Sequence, residues 1–436
     1  MITRRHLLLA GISVPVCWAG TACAATPPVV SPEEYGARGD GRTDDTQALQ
    51  LCLDLAPAGA IVRLRMGAVY RIDTNVRPTR TLYGGLRLKS GQILELNGGE
   101  LRALPSPHGN GTVIQGFRSE GWKIVGPGRI AGERLEHQGT AGEWGMGISA
   151  WSSSGWQITG GVEVADCWGD GIYVGSDGPD FCEDFLIENV KVRNCRRNGI
   201  SVVAGRNGVI RNFDIAKIDA TNPAGGIDLE PDNPAMPNRN IRISNGRIRD
   251  VSVGIYMTVA NENVSVSGMD IEGRNSGMIL SDNSVDIRIE NNPNIKSLVG
   301  GQEGAAIRMV VTHPDTVNGL TIRNNTLSGG GAFVLDIIED GFKRVVVSHN
   351  RIYANNAGVQ GIARIGAGVF TDNICVIGPR AGKKDDFFIH LQRVTYGRNT
   401  YRNQSPHAMY SAFRGGRDIG GDRFESPSLR HYAEGL

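Results

Sequence analysis

The stretch Gly226-Ile227-Asp228-Leu229-Glu230 decides the fold, because its opening pair of a small and an apolar residue returns throughout the chain. Counted at the small residue, the pair stands at positions 147, 171, 199, 226, 254, 277, 306, 332 and 361, with spacings of 23 to 29 residues. A period of this length is typical of a solenoid. The sequence therefore predicts a stack of similar coils.

Between these pairs lie short runs in which apolar and polar residues alternate: 185–192, 209–215, 241–248, 264–271, 320–327 and 345–352. Such alternation indicates half-buried strands. Five runs carry a residue that accepts the left-handed backbone of a sharp corner: Asn189, Asn212, Asn245, Gly268 and Asn324. The period leaves no room for a crossover helix, and a β-propeller blade needs about 40 residues or more. The chain is therefore predicted to be an all-β protein, a parallel β-helix.

The first residues indicate export. Arg4 and Arg5 precede the apolar run 7–12, and the small-residue segment 22–24 offers a cleavage site. A signal peptide of the twin-arginine type is expected over residues 1–24, with an ordinary secretory signal as the alternative. The protein is therefore predicted to be periplasmic or secreted.

Charge and hydropathy narrow the class of partner. Without the predicted signal, 44 basic residues stand against 45 acidic ones, which gives no sign of nucleic-acid binding. No later stretch has the roughly 20 apolar residues of a membrane-spanning helix, so no membrane contact is expected after signal cleavage. A monomer and a homotrimer both remain open.

The two ends of the β-helix domain, which is predicted over residues 25–402, differ from its repeats. Behind the acidic pair at 44–45, apolar residues fall at helical spacing and predict a short amphipathic helix that caps the N-terminal end. The residues expected to face the coils are Ala48, Leu51, Cys52 and Leu55. Residues 403–436 lose the repeat and are predicted to form a C-terminal tail or cap.

The segment 34–50 (EYGARGDGRTDDTQALQ) closely resembles the opening motif of the pectate-lyase-like superfamily, in the branch related to glycoside hydrolase family 28. Residues 195–202 (CRRNGISV) and 226–232 (GIDLEPD) are similar to segments that recur in bacterial members. The resemblance covers nearly the whole chain after the signal. It implies a single-stranded right-handed parallel β-helix that acts on a polymeric carbohydrate, and it leaves the reaction open.

Two carboxylates of the repeat should share the outer face of one strand. Because side chains alternate along a strand, inward-pointing Ile227 and Leu229 place Asp228 and Glu230 outside. Their Cα atoms would lie roughly 6.6 Å apart, which suits the two carboxyl groups of an inverting glycosidase. We therefore predict a polysaccharide glycosidase with Asp228 and Glu230 as its acid and base.

Further residues are predicted to support this pair. Asp232 follows it directly, and Asp170 precedes the small–apolar pair of another coil; crowded carboxyl groups raise one pKa and supply a proton donor. The predicted sugar-binding residues are Tyr256, Arg197, Tyr173, Trp168 and Arg308. Aromatic faces pack against sugar rings. When the coils are aligned on their small–apolar pairs, Arg308 falls in a column of stacked outward residues, with Val334 as the next member. Its positive charge suits an acidic sugar.

Two other functions remain open. In a polysaccharide lyase, the same acids would bind Ca²⁺, which prefers oxygen ligands, and Arg197 would abstract the proton of a uronate. The third possibility is a non-catalytic carbohydrate-binding β-helix. For the hydrolase, neither a metal nor another cofactor is expected.

Two cysteines should occupy equivalent positions on neighbouring coils. Cys167 and Cys195 each lie four residues before a small–apolar pair. Their Cα atoms would be about 4.8 Å apart, within the range of a disulfide. A stack of buried thiols fits this spacing equally well.

Overall fold

The computed structural model describes residues 26–75, 84–299, 304–311, 313, 316–329, 331–337, 342–355, 359, 361–381, 387–407, 409–425 and 429–433. The predicted export signal lies outside these residues. Within them, one α-helix spans Thr46–Leu55 and one 3-10 helix spans Pro32–Tyr35. All other regular structure consists of β-strands, which pair in parallel from coil to coil.

The strands form three ladders. The first, called the site ladder below, contains Leu86–Leu88, Asn110–Phe117, Trp144–Trp151, Ile172–Gly175, Asn198–Val202, Gly225–Leu229, Arg247–Met257, Asp270–Leu280, Ala305–Met309, Phe333–Ile337, Gly361–Ile365, Phe387–Gln392, Met409–Arg414 and Leu429–Ala433. The second ladder contains Asp40–Asp44, Val69–Ile72, Glu100–Ala103, Gly128–Ala131, Val162–Ala165, Lys191–Arg193, Asp214–Ala216, Asn294–Ser297, Thr326–Gly329, Arg351–Ala354, Ile374–Ile377, Thr400–Asn403 and Arg423–Phe424, and it shares the two long strands of 247–257 and 270–280 with the site ladder.

The third ladder contains Val29–Val30, Ile61–Arg63, Ile93–Glu95, Lys123–Val125, Gln157–Thr159, Leu186–Glu188, Val209–Arg211, Arg242–Ser244, Ser265–Ser267, Val285–Glu290, Asn318–Arg323, Lys343–Ser348, Gly368–Thr371, Val394–Gly397 and Arg417–Asp418. The short strands Cys182–Glu183, Gly205–Arg206, Asn238–Arg239 and Asn261–Glu262 run beside it and join it at 285–290. Each coil thus contributes to three faces, and the predicted parallel β-helix is confirmed.

The repeat of the sequence is the register of the site ladder. Ile200 pairs with Ile227, and Ile227 pairs with Ile255, all of them buried in the core. The small residue before each apolar one is required by the close approach of the coils. A Cβ atom added to Gly226 would lie 2.6 Å from the carbonyl oxygen of Gly254 on the next coil. The coil spacing therefore selects glycine at this position.

The corners are also as predicted. Asn189, Asn212, Asn245 and Asn324 have φ angles of 53° to 55°, and that of Gly268 is 64°. These values lie in the left-handed region, which glycine adopts freely and asparagine tolerates. The residue type at these positions follows from the turn between two strands of one coil.

The predicted register is wrong by two residues for the pair at 332 and by one residue for the pair at 361. Ile307 pairs with Leu335, and Leu335 pairs with Ala363. The error has a physical cause, because three apolar residues stand in a row and the ring of Phe333 lies under the guanidinium of Arg364, 4.7 Å from ring centroid to Cζ. The residue next to Arg308 in its column is therefore Asp336, not Val334.

The capping helix is confirmed, but its buried face differs from the predicted one. Leu49, Cys52 and Leu53 are fully buried, whereas Leu51 and Leu55 are 47% and 60% exposed. The buried residues have i, i+3, i+4 spacing, which is equally typical of one helix face. The helix uses this face against the strands at 69–72 and 86–88.

The ladders continue past residue 402, where the sequence repeat fades. Strands at 409–414 and 429–433 extend the site ladder, and the strand at 423–424 extends the second ladder. Tyr401 and Phe424 stack at 4.9 Å across this last interface. The glycine- and arginine-rich loops between these short strands hide the period in the sequence.

The core is filled by stacked side chains. Trp122, Trp156 and Phe185 stack in series with ring centroids 4.9 Å apart. Cys167 and Cys195 are free thiols and fully buried, so this structure contains the thiol stack rather than the disulfide. Among the described residues, no helix is long and apolar enough to cross a membrane.

Candidate functional site

The predicted acids lie on the outer face of the site ladder. Ser201, Asp228 and Tyr256 are direct neighbours on three successive coils. Ile227 and Leu229 are fully buried in the core, which directs the side chain of Asp228 away from it. The strand pattern therefore places the carboxyl groups of this coil outside the core.

Asp228 faces outward but is fully covered by its neighbours. Its Oδ2 atom accepts a hydrogen bond of 3.0 Å from the Nδ2 atom of Asn198, while Oδ1 is buried without a donor. Burial and the nearby charge of Glu230 raise the pKa of Asp228 well above its usual range. A protonated Asp228 would donate its O–H toward Glu230, which accounts for the unpaired oxygen.

Arg197 connects the carboxylates. It donates hydrogen bonds of 3.2 Å to Asp170 and 2.9 Å to Glu230, and it lies 3.9 Å from the carboxylate of Glu143. Although burial acts to lower the pKa of Arg197, the surrounding carboxylates, with Asp170 first, outweigh it and raise that pKa. Arg197 therefore stays charged and holds Glu230 in place.

Asp170 forms the buried base of the cluster. It accepts hydrogen bonds from the backbone N–H of Asn198 at 3.0 Å and from the hydroxyl of Ser201 at 2.8 Å, besides the bond from Arg197. Burial raises the pKa of Asp170 to about 6 against these interactions. Since none of its surface is exposed, Asp170 supports the other groups and does not reach a ligand.

Glu230 and Asp232 are the carboxylates that open onto a groove. Both line a cavity of about 370 Å³, and the side chain of Glu230 is 40% exposed. Burial and the charge of Glu230 raise the pKa of Asp232. The groups that can meet a ligand are thus Glu230 and Asp232, with Asp228 and Asp170 behind them.

The groove continues toward the N-terminal coils. Its other lining residues are Asn110, Gly111, Thr112, Gln115, Trp144, Met146, Trp151, Tyr173, Arg197 and Val203. The ring of Trp151 lies 4.8 Å from that of Tyr173 at 39°, and its Nε1 donates to Ser149 Oγ at 3.0 Å. The groove therefore joins an acidic end to an aromatic wall.

The predicted sugar-binding residues are only partly brought together. Tyr173 and Arg197 line the groove, and half-buried Tyr256 is the neighbour of Asp228; burial and the charge of Asp228 raise the pKa of Tyr256. Arg308 shares the column of Asp228 but lies three coils away from it. It does not belong to the groove around the acids.

Trp168 lies outside the groove, contrary to the subsite predicted for it. Its ring stacks on His137 with centroids 3.6 Å apart, and Cζ of Arg196 lies 4.2 Å from it. Its Nε1 donates to the carbonyl oxygen of Ala141. These contacts hold the chain segment around residues 137–141, which gives Trp168 a structural role.

The sequence prediction missed four residues of the site. Asn198 and Ser201 hold the buried carboxyl groups, and Trp144 and Trp151 line the groove. Ser201 could have been found from the sequence because it occupies the same column of stacked residues as Asp228. The two tryptophans could have been found because they stand at the two ends of one site-ladder strand.

The described residues contain no group of three or more His, Cys, Asp or Glu side chains arranged to hold a metal ion. The carboxylates of the site are instead held by hydrogen bonds and by Arg197. Their arrangement suits proton transfer, because burial raises the pKa of Asp228, which lies behind a carboxyl group that faces the groove.

Comparisons with known proteins agree with this architecture. The family model described as "Right handed beta helix region" matches residues 170–334. A Bacillus subtilis protein, YclG, is 28% identical over 228 residues, a match that covers 46% of this chain and 38% of the length of YclG. The description of this family indicates that the β-helix is right-handed.

Solved structures with the same fold are more distant in sequence. The A-module of the Azotobacter vinelandii mannuronan C-5 epimerase AlgE6 superposes with a TM-score of 0.64 and 14% identity, covering 91% of this chain and 99% of that one. The N-terminal fragment of bacteriophage phi29 gene product 12 superposes with a TM-score of 0.60 and 15% identity, covering 93% of this chain and 73% of that one. A tailspike protein of E. coli bacteriophage HK620, a double mutant in complex with a pentasaccharide, superposes with a TM-score of 0.52 and 13% identity, covering 93% of this chain and 67% of that one.

The protein is a right-handed parallel β-helix, a fold that it shares with the AlgE6 A-module and the HK620 tailspike protein. The fold that the resemblance to the pectate-lyase-like superfamily implied is therefore confirmed. The branch related to glycoside hydrolase family 28 is not singled out by these matches.

Proposed function

We propose that the protein is an exported enzyme that hydrolyses glycosidic bonds of a polysaccharide in the groove beside Glu230. The observation that carries the proposal is the carboxylate cluster, in which Glu230 and Asp232 line the groove and buried Asp228, whose pKa is raised by burial and by the charge of Glu230, lies behind them. Glycoside hydrolysis requires two carboxyl groups beside the scissile bond, one of which holds a proton. The periplasmic or secreted location is part of the proposal and rests on the N-terminal sequence.

The cluster allows roles to be assigned. Asp232, whose pKa is raised, protonates the leaving oxygen as general acid. Glu230, held by Arg197 at 2.9 Å, activates water or attacks the sugar as the carboxylate. Asp228 does not contact the sugar; it is a positioning residue that hydrogen-bonds to Glu230. This assignment changes the sequence prediction, which gave the acid and base roles to Asp228 and Glu230.

The lyase alternative finds less support in the geometry. It requires Arg197 to give up a proton, but the surrounding carboxylates raise the pKa of Arg197. A base must be unprotonated near the working pH. Elimination is therefore the less favoured reaction at this site.

A carbohydrate-binding protein without catalysis is the second candidate function. It is favoured by the aromatic lining of the groove, where exposed Trp144 and partly buried Trp151 can hold sugar without cleaving it. Detection of cleavage products decides between the two functions.

The test is a screen of the purified protein against neutral and acidic plant and bacterial polysaccharides. Hydrolysis predicts new reducing ends without ultraviolet absorption from unsaturated uronates, and Glu230→Gln should reduce the rate at least about a hundredfold. The matched control is Glu188→Gln, which makes the same change at an ion pair with Arg211 on the third ladder. Cleavage that survives in Glu230→Gln would contradict the site assignment.

A further inference from the structure

The groove is long compared with the catalytic cluster. Its lining residues come from the coil of Asn110 through that of Glu230, which are four coil steps apart along the site ladder. At about 4.8 Å per step, the groove extends over roughly 19 Å. A ligand that fills it is an oligosaccharide of several units, with one end at Glu230.

The distal part of the groove has two aromatic walls. Trp144 and Trp151 stand at opposite ends of the strand Trp144–Trp151 and line the same cavity. The side chain of Trp151 is fixed by Tyr173 and by its hydrogen bond to Ser149, while Trp144 is 54% exposed. Exposed Trp144 therefore offers a flat apolar face within the groove for a ligand.

The coil of these tryptophans lies three steps from Asp228, because Ser149 pairs with Tyr173, Tyr173 with Ser201 and Ser201 with Asp228. The separation is about 14 Å along the axis. The strand that carries both tryptophans is therefore three coils along the axis from the strand that carries Asp228. Polar side chains of Asn110 and Thr112 line the same part of the groove and can hydrogen-bond to sugar hydroxyls.

The charge of the groove selects against acidic sugars. Arg197 is the one cation among the described residues that line the groove, and its hydrogen bonds go to Asp170 and Glu230. Glu230 and Asp232 are the acidic side chains of the lining, and Arg197 is already paired with Glu230. A uronate in this groove would meet the carboxylate of Glu230 without a free cation among the described lining residues, which costs binding free energy.

We infer that Trp144 and Trp151 provide distal aromatic contacts for uncharged sugar units, so that the protein binds a neutral oligosaccharide of several units that extends from Glu230 to these tryptophans. Sugar rings present apolar C–H faces, which pack on tryptophan, together with hydroxyls for the polar lining. The inference rests on the proposed function, because it names the substrate class of the same groove. It adds a binding site three coils from the acids.

The test measures binding without turnover, in the wild-type protein with thio-linked oligosaccharides that resist hydrolysis, because Glu230→Gln would remove one of the charges that the inference depends on. The probes are the disaccharide and hexasaccharide of cello-, xylo- and manno-oligosaccharides, with galacturonic and mannuronic acid hexasaccharides as the acidic set, titrated by calorimetry and by tryptophan fluorescence. We expect at least one neutral hexasaccharide to bind at least tenfold more tightly than its disaccharide and than both acidic hexasaccharides. Trp144→Ala should weaken that hexasaccharide about tenfold and leave the disaccharide unchanged.

Tyr353→Ala is the matched control, since Tyr353 is an exposed aromatic residue (37%) on the second ladder. The inference is overturned if an acidic hexasaccharide binds more tightly than every neutral one, if no neutral hexasaccharide binds, or if Trp144→Ala has no effect on hexasaccharide affinity. Failure of hydrolysis is a separate outcome. A wild-type protein that binds but does not cleave would refute the proposed function and leave the subsite intact.

Discussion

Replacement of Arg197 by methionine tests the electrostatics of the cluster. The variant keeps the length of the side chain and removes the charge that faces Asp170, which is fully buried. Even beside Arg197, the pKa of Asp170 is raised to about 6, from 3.8 in the unfolded chain. Each pKa unit corresponds to about 1.4 kcal/mol, so ionised Asp170 already destabilises the folded state by about 3 kcal/mol.

The magnitude of the further loss follows from the distance. At 3.2 Å and an effective dielectric constant of about 20, the attraction between Arg197 and Asp170 is about 5 kcal/mol. Breaking a buried pair by removing one partner generally costs about 3 to 5 kcal/mol. Because Asp170 can remain protonated in the variant, the loss at pH 8 is limited to about 1.4 kcal/mol for each of the roughly two pH units above its folded pKa of about 6. Arg197→Met should therefore lower the free energy of unfolding by about 2 to 3 kcal/mol at pH 8.

The loss should depend on pH in a defined direction. In the wild type, Asp170 is mostly protonated at pH 5, below its folded pKa of about 6, so the ion pair contributes little there. As pH rises through 6, Asp170 ionises in the wild type and the pair forms, whereas in the variant burial without a cation keeps Asp170 protonated. The stability difference should therefore be largest at pH 8 and fall below about 1 kcal/mol at pH 5.

Urea unfolding at pH 5 and pH 8 measures both values. Arg211→Met is the control, because its ion pair with Glu188 is exposed at the surface and such pairs contribute about 0 to 1 kcal/mol. An equal loss at both pH values, or a loss no larger than that of the control, would refute this account of the cluster.

Three further predictions concern single positions. Asp228→Asn should become more stable than the wild type as pH rises from 5 to 8 in urea unfolding, because burial raises the pKa of Asp228 and its ionisation destabilises the folded state; an unchanged difference would contradict a protonated Asp228. Gly226→Ala should lower stability by about 1 to 3 kcal/mol, since its Cβ would lie 2.4 Å from Cγ2 of Ile248, and a thermal shift smaller than 1 °C would contradict the close approach. Asn212→Ala should cost about 1 kcal/mol while Asn212→Gly costs little, because φ is 55° there; equal effects in denaturation would exclude backbone strain as the cause.

The features that could be predicted from the sequence are those that depend on one coil and its period. The pair Gly226-Ile227 returns because each coil must approach the next, and Asn212 and Asn245 mark corners because few residues accept their backbone angles. Alternation along the strand correctly placed Asp228 and Glu230 outside the core. These properties are local, so the order of residues contains them.

The features that could not be predicted depend on the direction of long side chains between coils. Nothing in the sequence shows that Arg197 reaches across to Glu230 or that Asp228 is covered. Trp168 was predicted to face the groove because it stands beside Asp170, but it turns toward His137. Trp144 and Trp151 line the groove in its place.

The register near residue 333 was lost for a related reason. Phe333, Val334 and Leu335 are all apolar, so the alternation that marks the inward face is missing. In the structure, Arg364 of the next coil covers Phe333 from outside. The pattern of a single strand cannot reveal a contact between two coils.

The central claim is that the carboxylates at Glu230 cleave a polysaccharide by hydrolysis, and the most direct measurement is product analysis of the wild type and Glu230→Gln on a common panel of neutral and acidic polysaccharides. The account predicts new reducing ends from a neutral polysaccharide, no unsaturated uronate, and loss of the activity in Glu230→Gln but not in Glu188→Gln. Unsaturated uronate products, or cleavage that persists in Glu230→Gln, would contradict it.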